Sequence, residues 1–177
     1  MFQSFFPDEC VKSVYVVDFR TLYKKGYRGI IFDVDNTLVA HGMDATEASM
    51  DLFKCLNKIG FKTCLMSNNK EERIKRFNKK IQTHYIFKAN KPSRKNYYEA
   101  CRKMGTVVEN TVFIGDQLFT DVWGAKRCGI HNILVEPINK KEEVQIVLKR
   151  YLEKLVLFFY RKKLEHLKKA NDLKKSS

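Results

Sequence analysis

Two acidic motifs, each at the end of an apolar run, contain the residues best suited to chemistry in this 177-residue chain. Asp33 and Asp35 follow the run 29–32, and Asp116 and Asp121 follow a similar run. Such runs predict strands buried in a parallel sheet, and open sheets of this kind bind ligands beyond the carboxyl ends of their strands. Carboxylates crowded there repel one another unless a hard cation neutralises them. Mg²⁺ prefers oxygen ligands and leaves positions for phosphate, so the motifs predict a magnesium site for phosphate chemistry.

Other polar residues follow the remaining predicted strands at the same edge of the sheet. Ser67 and Asn68 come after the second strand, and Lys91 comes just after the third. Each motif alone has an ordinary explanation as a turn, a helix N-cap or a loop. Their convergence after successive strands indicates a catalytic site. Arg94 follows Lys91 closely and is a candidate for contact with a second phosphate or a lipid head group.

Strands and helices alternate along the predicted chain. The expected strands are 29–34, 61–66, 85–88, 111–114 and 131–135. The expected helices are 46–59, 70–80, 94–104, 120–128 and a last one that begins near Lys141. Asp44 is the expected N-cap of the first of these, and Gly60 its end. This alternation predicts an α/β fold with a central parallel sheet and helices on both of its faces.

The same pattern divides the chain into three parts. Residues 1–28 form an N-terminal lead-in segment with a short helix near 19–25, residues 29–137 the catalytic core, and residues 138–177 a basic amphipathic helix and tail. The segments between the motifs hold only one helix and one strand each, so we expect no substantial cap domain. His41 is expected to be a loop residue, and Arg73 to lie with its basic neighbours on a solvated helix face.

The quoted motifs resemble those of the haloacid-dehalogenase-type (HAD) phosphatases, and more narrowly the bacterial YqeG family, a relative of the mitochondrial phosphatidylglycerophosphate phosphatases. The resemblance covers about residues 5–137 and implies a Rossmann-like HAD fold. It rests on Phe5-Phe6-Pro7-Asp8, Asp35-Asn36-Thr37-Leu38-Val39, Ser67-Asn68-Asn69, Lys91-Pro92 and Gly115-Asp116-Gln117-Leu118-Phe119-Thr120-Asp121. The last string is the most specific part.

The resemblance also implies a mechanism. Asp33 would be the nucleophile that forms an aspartyl-phosphate, and Asp35 would protonate the leaving oxygen and then deprotonate the attacking water. Ser67 would hold phosphate oxygens, and Lys91 would balance the charge of the nucleophile and the transferring phosphoryl group. Catalysis of this kind makes the chain a phosphoric monoester hydrolase.

Binding residues complete the implied site. The substrate-binding candidates are Ser67, Asn68 and Arg94. The implied magnesium ligands are the Asp33 carboxylate, the Asp35 backbone carbonyl and Asp116, with Asp121 nearby as a ligand through water or as a support for Lys91.

Composition and charge limit the location and the partners. Thirty-four basic against 20 acidic residues give a net charge of +14, which favours anionic partners. Five scattered cysteines without C-x-x-C spacing disfavour a disulfide framework or a zinc site and favour a reducing cytoplasm. No signal peptide and no apolar stretch of about 20 residues is predicted. We expect a cytoplasmic protein, with peripheral attachment to the inner face of the membrane left open.

The last helix bears on that choice. Its expected sheet-facing positions are Val144, Val147, Leu148, Tyr151, Leu152, Leu155 and Phe158. Further apolar residues, interleaved with Arg161, Lys162 and Lys163, make the helix both apolar and basic, as an interfacial helix on anionic lipid is. A helix buried in the core or in a dimer interface is the alternative, and the oligomeric state is not set by the sequence.

Three functions from different classes remain open. The chain is a membrane-peripheral phosphatase for phosphatidylglycerophosphate, a cytosolic phosphatase for a soluble or nucleic-acid phosphomonoester, or a non-enzymatic, RNA-associated binding protein. The acidic residues disfavour the third, and nucleic-acid binding lacks a supporting motif such as an aromatic stacking strand. An uncapped rim cannot close over a small metabolite, so it favours a phosphate presented by a macromolecule or a membrane surface.

Overall fold

Residues 3–139 and 144–175 are described by the structure, a computed structural model, with side chains described over 3–139 and 151–169. The predicted start of the last helix near Lys141 and its apolar positions Val144, Val147 and Leu148 therefore lie outside the described residues or side chains. Among the described helices, none combines the length and the hydropathy that crossing a membrane requires.

A single parallel sheet forms the centre of the described chain. Its strands are β1 (Glu9–Val11), β2 (Gly29–Phe32), β3 (Lys62–Met66), β4 (His84–Ile86), β5 (Thr111–Gly115) and β6 (His131–Val135). They lie in the order β1-β6-β5-β2-β3-β4. The chain runs from β2 outward to β4 and then returns to the other side of β2 with β5. The strand order therefore reverses between β2 and β5, where open sheets bind their ligands.

Helices cover both faces of this sheet. They are α1 (Phe19–Lys24), α2 (Glu47–Ile59), α3 (Glu71–Ile81), α4 (Lys95–Met104), α5 (Trp123–Arg127) and α6 (Val144–Lys175). Successive β2 side chains point to opposite faces, so Ile30 and Phe32 pack with α1, α2 and α3, whereas Ile31 packs with α4 and α5. Each segment between β2 and β5 holds one α-helix and no inserted domain, which confirms the predicted uncapped α/β fold.

Two local predictions are wrong, and one strand was not predicted. Thr46 caps α2 by accepting a hydrogen bond from the Ser49 N–H, whereas Asp44 pairs with Arg76 on the surface. The lead-in segment contains β1, a strand of three residues that pairs with β6 and is too short to show a period in the sequence. The expected helix 120–128 is split into a π-helix, Leu118–Val122, followed by α5.

The predicted sheet-facing side of α6 is also wrong. Tyr151, Leu152, Leu155 and Phe158 are 65%, 55%, 48% and 51% exposed. The helix instead contacts the rest of the chain through Glu153, Val156, Leu157 and Tyr160. Glu153 fixes the same side of the helix toward the core, because its buried carboxylate accepts a hydrogen bond of 2.8 Å from the Leu118 N–H at the start of the π-helix.

Candidate active site

The carboxyl ends of β2 and β5 place the two acidic motifs side by side. Phe32 pairs with Ile114, and the Asp33 N–H continues this ladder by donating to the Ile114 carbonyl at 2.9 Å. Asp33 therefore emerges from the sheet next to Gly115, immediately before Asp116. The side chains of both aspartates are held in the crevice at the reversal of strand order, as the sequence predicts.

Three carboxylates meet in this crevice. Asp33, Asp116 and Asp121 each offer an oxygen within 4.8 Å of the others, and all three residues are buried. The Lys91 ammonium lies 2.5 Å from Asp33 and 2.8 Å from Asp121. Three carboxylates and one ammonium leave an excess of two negative charges when all are ionised. This excess and the all-oxygen donor set fit one hard divalent cation.

The second oxygen of Asp33 supports the same conclusion. Asp33 Oδ1 accepts a hydrogen bond from Lys91, whereas Oδ2 is buried and has no hydrogen-bond partner among the described residues. A buried acceptor without a partner is costly, since it has lost its water. A cation bound between Asp33 and Asp116 would give this oxygen a partner. The residues present therefore fit a divalent metal.

Burial and charge shift the pKa values of the central pair. Burial raises the pKa of Asp33 to about 7, and repulsion by Asp121 adds to this increase, while Lys91 opposes it. Burial by itself would lower the pKa of Lys91, but the attraction of Asp121 and then of Asp33 outweighs it and holds the pKa above its ordinary value. Lys91 is therefore a stable cation, and Asp33 needs more positive charge nearby than Lys91 alone supplies.

A rigid turn delivers Asp121 to the cluster. Its Oδ2 accepts a hydrogen bond from the Gln117 N–H at 3.1 Å, and a Cβ at position 115 would collide with its carboxylate, so only glycine fits there. The buried Tyr97 hydroxyl donates to the carbonyls of Thr120 and Asp121, at 2.8 and 3.4 Å. These bonds draw the π-helix against α4, which aims Asp121 at Lys91.

Asp35 faces away from the cluster, contrary to the expected crowding of its carboxylate with Asp33. The expectation assumed a regular strand, but β2 ends at Phe32 and Asn36 adopts a φ of 65°. The Asp35 carboxylate accepts hydrogen bonds from Arg73 at 2.9 Å, the Gly42 N–H at 2.8 Å and Asn69 at 2.7 Å. The predicted metal contact of Asp35 through its backbone carbonyl stays a prediction.

Arg73 is the main residue that sequence reasoning missed. It was expected on a solvated face, yet its side chain is only 11% exposed and also donates to the Met43 carbonyl. Its Nε and Nη1 atoms are buried without a hydrogen-bond partner among the described residues. Burying a guanidinium in this way costs stability, and its ion pair with Asp35 offsets part of that cost. His41 lies 3.8 Å from the same carboxylate and is largely exposed.

Comparison with known proteins identifies the family. Residues 88–145 match the sequence model of the HAD-hydrolase-like family. The probable phosphatase YqeG of Bacillus subtilis strain 168 is 37% identical over 160 residues, which cover 90% of this chain and 93% of that protein. The chain belongs to the YqeG-type HAD phosphatases. This membership confirms the resemblance found in the sequence and makes the chain an enzyme of the phosphoric monoester hydrolase class.

More distant proteins are similar to this HAD phosphatase over part of their length. Phosphatidylglycerophosphate phosphatase 1 of Arabidopsis thaliana, chloroplastic and mitochondrial, is 26% identical over 168 residues, which cover 84% of this chain and 48% of that protein. A cobalt-bound deoxy-D-mannose-octulosonate 8-phosphate phosphatase from Haemophilus influenzae shares 13% identity with a TM-score of 0.51, over 64% of this chain and 80% of that one. An uncharacterised Listeria monocytogenes serotype 4b protein has the same TM-score at 16% identity, over 66% of this chain and 86% of that one. Both structures establish a shared fold.

The remaining predicted site residues of this HAD phosphatase lie in different surroundings. Ser67 is buried at the end of β3, and its hydroxyl accepts a hydrogen bond from the Asn69 N–H at 3.1 Å. The Asn68 amide bonds to both the N–H and the carbonyl of Lys91, so its side chain holds the Lys91 loop. Arg94 is exposed at the start of α4, and no described hydrogen bond or ion pair joins its guanidinium to the cluster. Their predicted roles toward substrate stay predictions.

Proposed function

We propose that this HAD phosphatase is a Mg²⁺-dependent phosphomonoester hydrolase that acts through an aspartyl-phosphate on Asp33. The observation that carries the proposal is the asymmetry of the Asp33 carboxylate. One oxygen is held by Lys91, and the other is buried, without a described partner, beside Asp116 and Asp121. A carboxylate fixed at one oxygen in a site that favours a cation is well placed to attack an approaching phosphate dianion.

Each neighbouring residue has a part in this chemistry. Asp33 attacks phosphorus, and Lys91 holds the nucleophile in place and stabilises the negative charge of the transferring group. Asp35, held outside the cluster by Arg73 and Asn69, enters the reaction protonated and gives this proton to the leaving oxygen; the carboxylate that results later accepts a proton from the attacking water. Ser67 holds a phosphate oxygen. Mg²⁺ would be held by Asp33, Asp116 and the Asp35 carbonyl, with Asp121 beside it. It would neutralise negative charge, so that the nucleophile and the phosphate can approach each other.

The proposed substrate is a phospholipid with a terminal phosphate, of the phosphatidylglycerophosphate type, at an anionic membrane surface. Two observations support this choice. The named activity of the Arabidopsis thaliana relative is one, and the surface of α6 is the other. The apolar face left exposed by the rotation of α6, which includes Leu155, Phe158 and Phe159, lies beside exposed Lys162 and Lys169. An apolar and basic helix of this kind binds anionic lipid from the cytoplasmic side.

The metal requirement is tested by removal and replacement. Excess EDTA is expected to remove phosphate release, and Mg²⁺ to restore it. Ca²⁺ should restore it poorly, because its longer bonds and higher coordination number would displace the nucleophile. The assay compares phosphatidylglycerophosphate with a panel of soluble phosphomonoesters. Full activity in excess chelator would refute the metal requirement, and equal kcat/KM on all esters would refute the lipid assignment.

The membrane surface is tested by reversing charge on α6. A triple variant with Lys162, Lys168 and Lys169 changed to Glu should lose binding to vesicles that contain anionic lipid, since each basic residue contributes up to about 1 kcal/mol there. The matched control changes Lys24, Lys58 and Lys79, three exposed residues of other helices, to Glu. Binding by wild type should weaken as salt rises. Equal loss in both triple variants would show that only net charge matters and would retire α6 as the membrane surface.

A further inference from the structure

A groove of about 600 Å³ separates α6 from the edge of the sheet. We call it the α6 groove; its apolar lining includes Val11 of β1, Leu134 of β6, and Leu157 and Leu164 of α6. Its lining residues on α6 run from Tyr151 to Leu164, which corresponds to about 20 Å along the helix. Ligand pockets typically enclose roughly 300–1,000 Å³ and have mostly apolar walls, so both size and lining suit a small apolar ligand.

The α6 groove reaches the acidic cluster at Asp116. Asp116 lines the groove and belongs to the acidic cluster as well. Leu118, the first residue of the π-helix that delivers Asp121, also lines it. A ligand that fills the groove therefore has one end beside the phosphate site. This shared residue distinguishes the groove from a surface depression that is unrelated to the site.

Charge at the groove favours an anionic amphiphile. Lys12, Lys154 and Arg161 line it and are exposed. Its acidic lining residues are Asp116 in the cluster, Glu153, which bonds to the Leu118 N–H, and Glu136. Asp116 and Glu153 are buried, so three exposed cations and one exposed carboxylate surround the apolar walls, which matches a ligand that combines a hydrocarbon chain with negative charge.

We propose that the α6 groove binds the hydrocarbon chain of the substrate while its phosphate lies at Asp33. This inference rests on the proposed function and narrows its substrate class to phosphomonoesters that carry an alkyl or acyl chain. The hydrocarbon chain of the substrate leaves water as it enters the groove, and the favourable free energy of this burial raises kcat/KM. Selection for a lipid is then a property of the folded protein itself, separate from the attraction of α6 to a membrane.

A chain-length series tests the groove without any membrane. Phosphate release is measured with primary alkyl phosphates from ethyl to decyl, each below the concentration at which it aggregates, at saturating Mg²⁺. Each buried methylene contributes about 0.8 kcal/mol, so kcat/KM should rise about two- to fourfold per methylene until the groove is filled. No vesicle is present, so membrane binding by α6 does not contribute.

Two matched variants locate the effect. Leu164 lines the groove and is 39% exposed, whereas Leu167 is 51% exposed and does not line it. Leu164→Glu places a charge against the alkyl chain and should reduce the ratio of kcat/KM for decyl over ethyl phosphate by at least about tenfold. Leu167→Glu introduces the same charge on the same helix and should keep the wild-type ratio. Both side chains are partly exposed, so thermal midpoints near wild type are expected and checked.

The possible outcomes separate the inference from the function on which it rests. If kcat/KM is the same for every ester, the proposed role of the groove is overturned and the phosphatase assignment stays intact. An equal reduction of the ratio in Leu164→Glu and Leu167→Glu also overturns it. If the preference for longer alkyl phosphates changed with protein concentration, the groove would be assigned to contact with a second copy of the protein. If the enzyme turns over none of the esters, the proposed function itself is overturned.

Discussion

Asp33 and Asp35 are separated by one residue, yet they lie in opposite surroundings. Asp33 is buried among Asp116, Asp121 and Lys91, where carboxylates outnumber cations. Asp35 points away, toward Arg73, Asn69 and the backbone of Gly42. The chain achieves this separation by ending β2 at Phe32 and turning sharply at Asn36. Two carboxylates with such different neighbours are suited to different tasks in one reaction.

The difference shows which side of the site requires a metal. The Asp33 side has an excess of negative charge and a buried oxygen without a described partner, so it is incomplete without a cation. The Asp35 side has a guanidinium and two further hydrogen-bond donors for one carboxylate, so its charge is already balanced. Changes on the Asp33 side should therefore affect bond formation to phosphorus, and changes on the Asp35 side should affect proton transfer.

The largest expected effect follows the loss of the nucleophile. Asp33→Asn should reduce phosphate release by about 10⁴-fold or more, because the amide cannot form the aspartyl-phosphate. The thermal midpoint should stay near wild type or rise, since the change relieves carboxylate repulsion while Lys91 keeps Asp121 as its partner. Asp44→Asn, at an exposed carboxylate outside both regions, is the control. Substantial Mg²⁺-dependent turnover by Asp33→Asn would contradict the division of roles.

An intermediate effect is expected from releasing Asp35. Arg73→Met should lower kcat for an alkyl phosphate by about 10- to 100-fold, because a misplaced proton donor is costly. The loss should be only a few-fold for p-nitrophenyl phosphate, whose leaving group needs little protonation. Arg73 contacts the Asp35 side chain and not its backbone carbonyl, so Mg²⁺ affinity should change little. This dependence on the leaving group distinguishes a positioning role from general damage to the fold.

Arg76→Met is the matched control for Arg73→Met. Arg76 lies three residues further along α3 and pairs with Asp44 at the surface, where an ion pair contributes little. Its kcat on either ester should stay within about twofold of wild type. If Arg73→Met reduced kcat equally for both esters, Arg73 would support the fold and not the proton donor.

The smallest expected effect tests the support of Asp121. Tyr97→Phe removes the hydroxyl that donates to the Thr120 and Asp121 carbonyls and should lower the free energy of unfolding by about 1 kcal/mol. Turnover should fall a few-fold on both alkyl and p-nitrophenyl esters, because the change lies on the Asp33 side. Tyr98→Phe, at the neighbouring and exposed tyrosine, should leave both unchanged. Denaturant unfolding and steady-state kinetics measure the two quantities.

The fold was largely predictable because its signals are local. Buried apolar runs predict β2 and β5, and glycine at position 60 ends α2 in the left-handed conformation that it tolerates best. Strand β1 was missed because three residues at a sheet edge carry no periodic pattern. The face of α6 was wrong because the helix carries apolar residues around most of its circumference; Val156, Leu157 and Tyr160 pack on the core, and Glu153 on the same side accepts a hydrogen bond from Leu118.

The site was predictable in part for a related reason. Asp33, Lys91 and Asp116 each follow a strand of the parallel sheet, so the sheet alone brings them to one rim. Arg73 reaches Asp35 across 38 positions of sequence, and no helical period distinguishes its buried guanidinium from solvated neighbours. Tyr97 was missed for the same reason, since its target is the backbone of a π-helix that the sequence did not predict. Long-range polar contacts of this kind become visible only in the folded chain.

The central claim, that Asp33 is the nucleophile and Asp35 the proton carrier, is tested most directly by trapping the phosphorylated enzyme. Asp35→Asn keeps the nucleophile and removes the group that activates water, so the intermediate should accumulate with an activated ester. The variant is mixed with Mg²⁺ and p-nitrophenyl phosphate, quenched in acid, and its peptides are examined by mass spectrometry. The account predicts a burst of one p-nitrophenol per chain and one phosphoryl group on Asp33. A burst without phosphorylated Asp33, or a phosphoryl group on another residue, would contradict it.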